Sequence, residues 1–161
     1  MPQYLRDFRE SYLTEFRQGC LVSEVEHEAI VPSKKILSVV KRKTEPKTSR
    51  KGEPSFFMTD EMRRLSTPWS IASIRASQID LRSLPAGVIL DAASGSGLQL
   101  IAFSKVLKRP ALGIEIDRDI GMFCAANMSL NSNDEVQRSL DRVLIGDSRA
   151  ADSAISTFWS S

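Results

Sequence analysis

A single histidine, His27, stands in the whole chain, which excludes any metal or catalytic site that needs two. Nothing else in the sequence supports a charge relay built on it. The two cysteines, Cys20 and Cys124, lie 104 positions apart. That spacing makes neither a metal-ligand pair nor a disulfide framework, and it points to a reducing compartment, the cytoplasm. No run of about 18 apolar residues occurs, so no membrane-spanning helix is expected. Residues 1–10 mix charge with aromatics and lack the uninterrupted apolar core of a secretory signal.

What remains is an ordinary globular composition. The 161 residues are 26% charged and 42% hydrophobic, which suits one domain with at most a small appendage. The net charge of +2 hides an asymmetry: residues 34–51 hold eight bases against one acid, Glu45, while the rest of the chain is −5. The chain is a mildly acidic body with a basic stretch, and such a stretch is either a solvated linker or a contact for RNA.

Leu5, Phe8, Tyr12 and Phe16 recur at helical spacing and predict an amphipathic helix over residues 3–18, with Gly19 as its stop. Its aromatic stripe reads as a docking face. Residues 20–33 show no clear pattern. Ile36 to Val40 reads as a short strand or a buried turn of helix, and residues 41–54 as a linker or exposed loop. The organisation expected is an N-terminal helical region with a basic linker over 1–54, then a second region over 55–161. In the latter, Thr67 and Pro68 fit an N-cap and first helical position. Ile71, Ala72, Ile74 and Ile79 are expected to form that helix's buried side, and Trp69 to pack in the core.

From residue 88 strands and helices alternate. Val88 to Leu90 reads as a strand ending in Asp91, Leu98 to Lys108 as a helix, and Ala111 to Ile114 as a strand ending in Glu115. Asp119 to Leu130 follows as a helix with Ile120, Phe123, Cys124 and Leu130 inward. Arg142 to Ile145 is a third strand, ending in Gly146-Asp147. The fold class expected is α/β, a partial doubly wound parallel sheet of about three strands with flanking helices and right-handed crossovers.

Asp91, Glu115 and Asp147 thus stand at the carboxyl ends of three consecutive strands, where open parallel sheets bind ligands. Gly95 and Gly97 let a ligand approach backbone, and the helix after them offers free N–H groups. Glu115 follows Gly97 by 18 residues, the spacing at which an acid meets ribose hydroxyls, although Asp117 competes for that role. The dinucleotide fingerprint fails at its third small position, which is Leu100. Asp91 would also repel a pyrophosphate, and no Walker lysine follows Gly97. These residues favour a nucleoside cofactor with a cationic amino group and no phosphate, and S-adenosylmethionine has both properties. Cys20, Cys124 and His27 read most simply as structural.

The segments VILDAASGSGLQL, LGIEID and VLIGD resemble the first three motifs of class I S-adenosylmethionine-dependent methyltransferases. The resemblance implies that Asp91, Ala93, Gly95 and Gly97 line the methionine part of the cofactor, Glu115 the ribose and Asp147 the adenine. Ala93 stands where the family often has glycine, which is tolerable if its φ is negative. RLSTPWSIASIRASQI, ahead of these motifs, resembles archaeal methyltransferases with a THUMP-like tail and cap trimethylguanosine synthases. The likeness covers about residues 64–150 and implies methylation of RNA, tRNA or another structured RNA, by in-line attack on the sulfonium methyl.

The family's sheet has seven strands, and its Asp/Asn-Pro-Pro-aromatic motif follows the fourth. Three strands and no such tetrapeptide are visible here. The expectation is therefore a truncated product or half of an assembly: inactive alone, binding cofactor weakly, and open along the Val88 strand to a partner protein or a second copy. The alternative is a non-catalytic nucleoside-cofactor-binding module or remnant that pairs across that edge.

Overall fold

The computed structural model describes residues 27–48, 50–131, 140–151 and 155; the helix expected over 3–18 lies outside them, as does Cys20. In chain order the elements are β1 (Glu28–Ile30), α1 (Lys34–Lys41), β2 (Lys47–Thr48), β3 (Ser55–Phe56), α2 (Asp60–Leu65), α3 (Trp69–Ser77), β4 (Ile89–Asp91), α4 (Leu98–Leu107), β5 (Ala111–Glu115), α5 (Arg118–Asn131) and β6 (Arg142–Ile145). Short 3-10 turns follow α3 at Leu81–Ser83 and β6 at Ser148–Ala150.

The main sheet runs β1-β6-β5-β4. β4, β5 and β6 are parallel, with Ile89 opposite Ala111 and Leu112 opposite Arg142. The α/β architecture is a small, mostly parallel sheet flanked by helices. β5 carries the burial such a position demands: Ala111, Leu112, Gly113 and Ile114 are all buried. This is the near-continuous apolar run of a strand covered on both faces.

β1 was not legible in the sequence. It pairs antiparallel with β6, Ala29 opposite Leu144, and closes that edge of the sheet. Arg118, which opens α5, grips Glu28 with two bonds of 2.9 Å and fixes the strand from the side. Among the described residues β4 pairs with β5 alone, and Leu90 is 50% exposed there.

Helices layer beside one another: α3 packs on α4, α4 on α5 and α5 on α1. Ile36 to Val40 resolves as helix. Ser33 caps it by accepting from Ile36 N, and its Ile36, Leu37 and Val40 pack with Phe57 and with Met122, Phe123, Ala126 and Leu130 of α5. Three β-branched residues in α1 cost little beside that burial. Residues 41–54 are in part a ribbon, with Lys47 opposite Phe56 and Thr48 opposite Ser55.

Two sequence expectations need correction. α3 starts at Trp69 with Pro68 in the cap position and no side-chain cap. Its buried face is Ala72 and Ala76, one turn apart, whereas Ile71 and Ile74 are 43% and 54% exposed. Small side chains let α3 come close to α4, and a close approach turns the bulky isoleucines outward. Likewise α5 buries Gly121, Cys124, Ala125 and Met128, and Ile120 and Phe123 are only half-buried. A Cβ on Gly121 would lie 2.2 Å from Cδ1 of Ile145, so the helix rests directly on β6. Trp69 packs as expected, its ring 5.6 Å from that of Phe56.

Candidate functional site

The loop between β4 and α4 folds back across the end of β5. Ser94 N–H donates to Ile114 O at 3.0 Å, and Gly97 N–H closes the turn on Ser94 O at 2.7 Å. This crossing needs room below it: a Cβ on Gly113 would lie 2.8 Å from Ser94 Oγ. Gly95 and Gly97 take φ of +52° and +78°, the left-handed conformations that glycine adopts freely. Ala93 does not share that conformation, since Lys108 is the non-glycine residue with positive φ among those described. Alanine is thus acceptable at that position.

Glu115 ties the loop to the sheet. Its Oε2 accepts from Gly95 N–H and its Oε1 from Asp117 N–H, both at 3.0 Å. Asp117, its competitor in the sequence, is committed elsewhere. Its Oδ1 accepts from Asp119 N and Ile120 N at 2.8 and 3.1 Å, the N-cap of α5. Of the two acids, Glu115 is the one that lines a cavity.

Two cavities open on this edge and share Ala93. One, about 360 Å³, is walled by Asp91, Ala93 and Gly95 on the loop side and by Met62, Leu65 and Thr67 from the α2–α3 segment opposite. The second, about 270 Å³, is lined by Ala93, Glu115, Gly146, Asp147 and Arg149. Gly97, buried beneath the loop, faces the core: a Cβ there would lie 2.7 Å from Cys124 Sγ. It shapes the turn and lines neither cavity. The three strand-end acids therefore fall in two adjoining spaces, Asp91 in one and Glu115 with Asp147 in the other.

Asp147 is held by its own turn. Arg149 Nε donates to both carboxylate oxygens, its Nη2 donates to Oδ2, and its backbone N–H donates to Oδ1 at 2.9 Å. The guanidinium hydrogen bond, chiefly, brings the carboxyl pKa down to about 2. His27 sits behind: its Nε2 donates to Asp147 O at 2.9 Å, and a Cβ on Gly146 would lie 2.5 Å from His27 Cδ2. These contacts seat the turn that carries Asp147.

Sequence reading missed the residue that joins the N-terminal segment to the loop. Asn127, fully buried on α5, accepts from Phe57 N at 2.7 Å and donates to Phe57 O and Ser96 O at 3.0 and 2.8 Å. One side chain thus satisfies three buried backbone groups and locks residues 55–58, ahead of the α2–α3 wall, to the glycine loop. The available signal was an asparagine within the small-residue run Ala125-Ala126-Asn127, which marks a close-packed helix face.

Cys124 is no nucleophile. Burial, above all, pushes its thiol up to about 12. Among the described residues no group of three or more histidine, cysteine or acidic side chains could hold a metal ion, and no helix is long and apolar enough to cross a membrane.

The three carboxylates differ in how much acceptor capacity they keep. A carboxylate offers about four lone-pair sites, so Glu115 keeps two for a pair of vicinal hydroxyls. Asp91 accepts from the Ala93 N–H at 3.2 Å and, among the described residues, from no other group, which leaves capacity for an ammonium group. Asp147 can accept from an exocyclic amine only by sharing its oxygens with Arg149. No family model, curated protein or solved structure matches the chain.

Proposed function

We propose that the chain carries the cofactor-binding part of an S-adenosylmethionine-dependent methyltransferase directed at RNA, working in the cytoplasm. The observation that supports this most is the position of Glu115. It lines the second cavity and bonds Gly95 at the first, at the end of β5, the strand between β4 with Asp91 and β6 with Asp147. A ribose belongs in the middle of an adenosyl-amino acid, and Glu115 stands on the middle one of the three strands. On this reading Asp91 takes the amino acid's ammonium group, Ala93 and Gly95 border the methionine chain with Gly97 shaping the turn beneath them, and Asp147 takes the adenine amine. When bound, the cofactor supplies an electrophilic sulfonium methyl; the contribution of these residues is to orient it.

Calorimetric titration with S-adenosylmethionine tests the assignment. The wild-type chain is expected to bind and Glu115→Ala to lose binding. Equal affinity in the two proteins means that Glu115 does not meet the ribose.

The unpaired side of β4, with Leu90 half exposed, favours a second reading: a cofactor-binding module without catalysis that pairs with a partner or a second copy along this edge. Sizing chromatography separates the two, since a clean monomer that binds cofactor argues against self-pairing.

A further inference from the structure

The basic stretch of residues 34–51 is not a loose linker; most of it is built onto the helix layer beside the cavities. Lys34, Lys35 and Lys41 project from α1, whose other face is committed to α5 through Ile36, Leu37 and Val40. Arg42 and Lys43 continue from its end, and Lys47, Arg50 and Lys51 lie on the ribbon that follows; all eight bases are exposed. Lys34, Ser38 and Lys41 fall within one stripe of an α-helix.

The track also has a direction. Lys43 Nζ lies 3.8 Å from Asp119 Oδ1, which places the end of α1 beside the first turn of α5. The next residue, Ile120, lines the larger cavity. The same cavity is lined by Met62 and Leu65 of α2, with Arg63 and Arg64 between them in the chain. The counter-charges are Glu45 and Glu53 near the ribbon, Asp60 and Glu61 at the start of α2, Asp117 and Asp119 at the start of α5, and Asp91 in the cavity wall, so the acids gather toward the cavity and the bases along α1 and the ribbon.

Asn131, at the other end of α5, donates to Ser55 O at 3.0 Å, so the ribbon extends this face away from the cavity while the α1 end approaches it. We infer that this face, the ribbon with α1, binds the phosphate backbone of a nucleic acid and that its Lys41–Lys43 end leads the strand to the cavity. The inference deepens the proposed function and rests on it for the identity of the cavity. The charge track stands by itself. Eight exposed bases against one acid over 18 residues give a sequence-independent attraction whose signature is salt dependence.

The test is fluorescence anisotropy of the full chain with a labelled RNA hairpin and with the DNA hairpin of the same sequence, across salt from roughly 50 to 200 mM. Two variants each neutralise part of the track: Lys34→Gln/Lys35→Gln/Lys41→Gln and Lys47→Gln/Arg50→Gln/Lys51→Gln. A control, Arg75→Gln/Lys108→Gln, removes exposed charge on α3 and after α4. Glutamine is nearly as good a helix former as lysine, so the far-ultraviolet circular dichroism and melting temperature are expected to hold. The expected result is binding by wild type, with each triple variant weakened about tenfold or more and its log–log salt slope flatter by about 2–3. The control is expected to keep wild-type affinity. Preference for the RNA hairpin identifies RNA as the source of the phosphates; preference for the DNA hairpin supports the face and assigns it to DNA.

Absence of binding at the lowest salt overturns the inference. So does an equal loss in the control, or tighter binding to phosphatidylserine vesicles than to either hairpin. Calorimetry with S-adenosylhomocysteine on the same proteins keeps the two failures apart. Cofactor binding without hairpin binding removes only the nucleic-acid face, and hairpin binding without cofactor binding removes only the methyltransferase reading.

Discussion

Gly97 is the position where loop conformation and core packing can be separated by experiment. Its φ of +78° costs a non-glycine residue about 1–2 kcal/mol, and a Cβ there would also lie 2.7 Å from Cys124 Sγ. The remaining neighbours, Cα and Cβ of Cys124 at 3.6 Å, are ordinary contacts. Overpacking a core adds about 1–3 kcal/mol, so Gly97→Ala is expected to cost about 2–5 kcal/mol in all. Cys124→Ala alone should cost about 1 kcal/mol for the vacated sulfur. In the Cys124→Ala background the overlap is gone, and Gly97→Ala should then cost only the conformational part, about 1–2 kcal/mol. The four proteins form a double-mutant cycle, read by urea unfolding at 25 °C, with an expected coupling of about 1–3 kcal/mol. Equal costs of Gly97→Ala in both backgrounds would falsify the claim that the turn rests on Cys124.

Asn127→Ala strands Phe57 N, Phe57 O and Ser96 O in a buried setting; a loss of about 3–5 kcal/mol in urea unfolding is expected, and a loss under about 1 kcal/mol contradicts the anchoring role. Carbon-detected NMR should find the Asp147 carboxyl titrating near pH 2, and Arg149→Met should return it toward its ordinary value of 3.8. The sign follows from a folded pKa that is depressed: the Asp147–Arg149 contribution to stability is present above pH 4 and fades as pH falls toward 2. No change in the Arg149→Met titration removes the guanidinium as its cause. In a Cys20→Ser protein, iodoacetamide at pH 8 should modify Cys124 only on unfolding, because a thiol near 12 instead of 9.0 holds about a thousandfold less thiolate. Rapid alkylation under native conditions contradicts its burial.

The strands from β4 to β6 were legible because each is a short apolar run that stops at an acid or a glycine, and the helices between them because they are long. Those signals are local. β1 was not legible, since Glu28-Ala29-Ile30 has no periodicity of its own; its pairing is imposed by Arg118 on Glu28 and by the edge of β6. α1 was ambiguous for a related reason: Ile36 to Val40 suits either element locally, and packing on α5 decides it. The acids of the candidate site, Asp91, Glu115 and Asp147, were legible as strand-end residues. Their division between two cavities was not, nor the wall contributed by Met62, Leu65 and Thr67, because that wall comes from a segment more than twenty residues upstream. Preference for Glu115 over Asp117 needed the cavity, which Glu115 lines, while Asp117 turns one oxygen to the first turn of α5.

An amide-resolved NMR titration of the labelled chain with S-adenosylhomocysteine tests the adenosyl reading most directly. The account predicts saturable shifts confined to three places: residues 91–97, Glu115 with its neighbours, and residues 146–149. Shifts that leave those amides untouched, or none at millimolar ligand, contradict it.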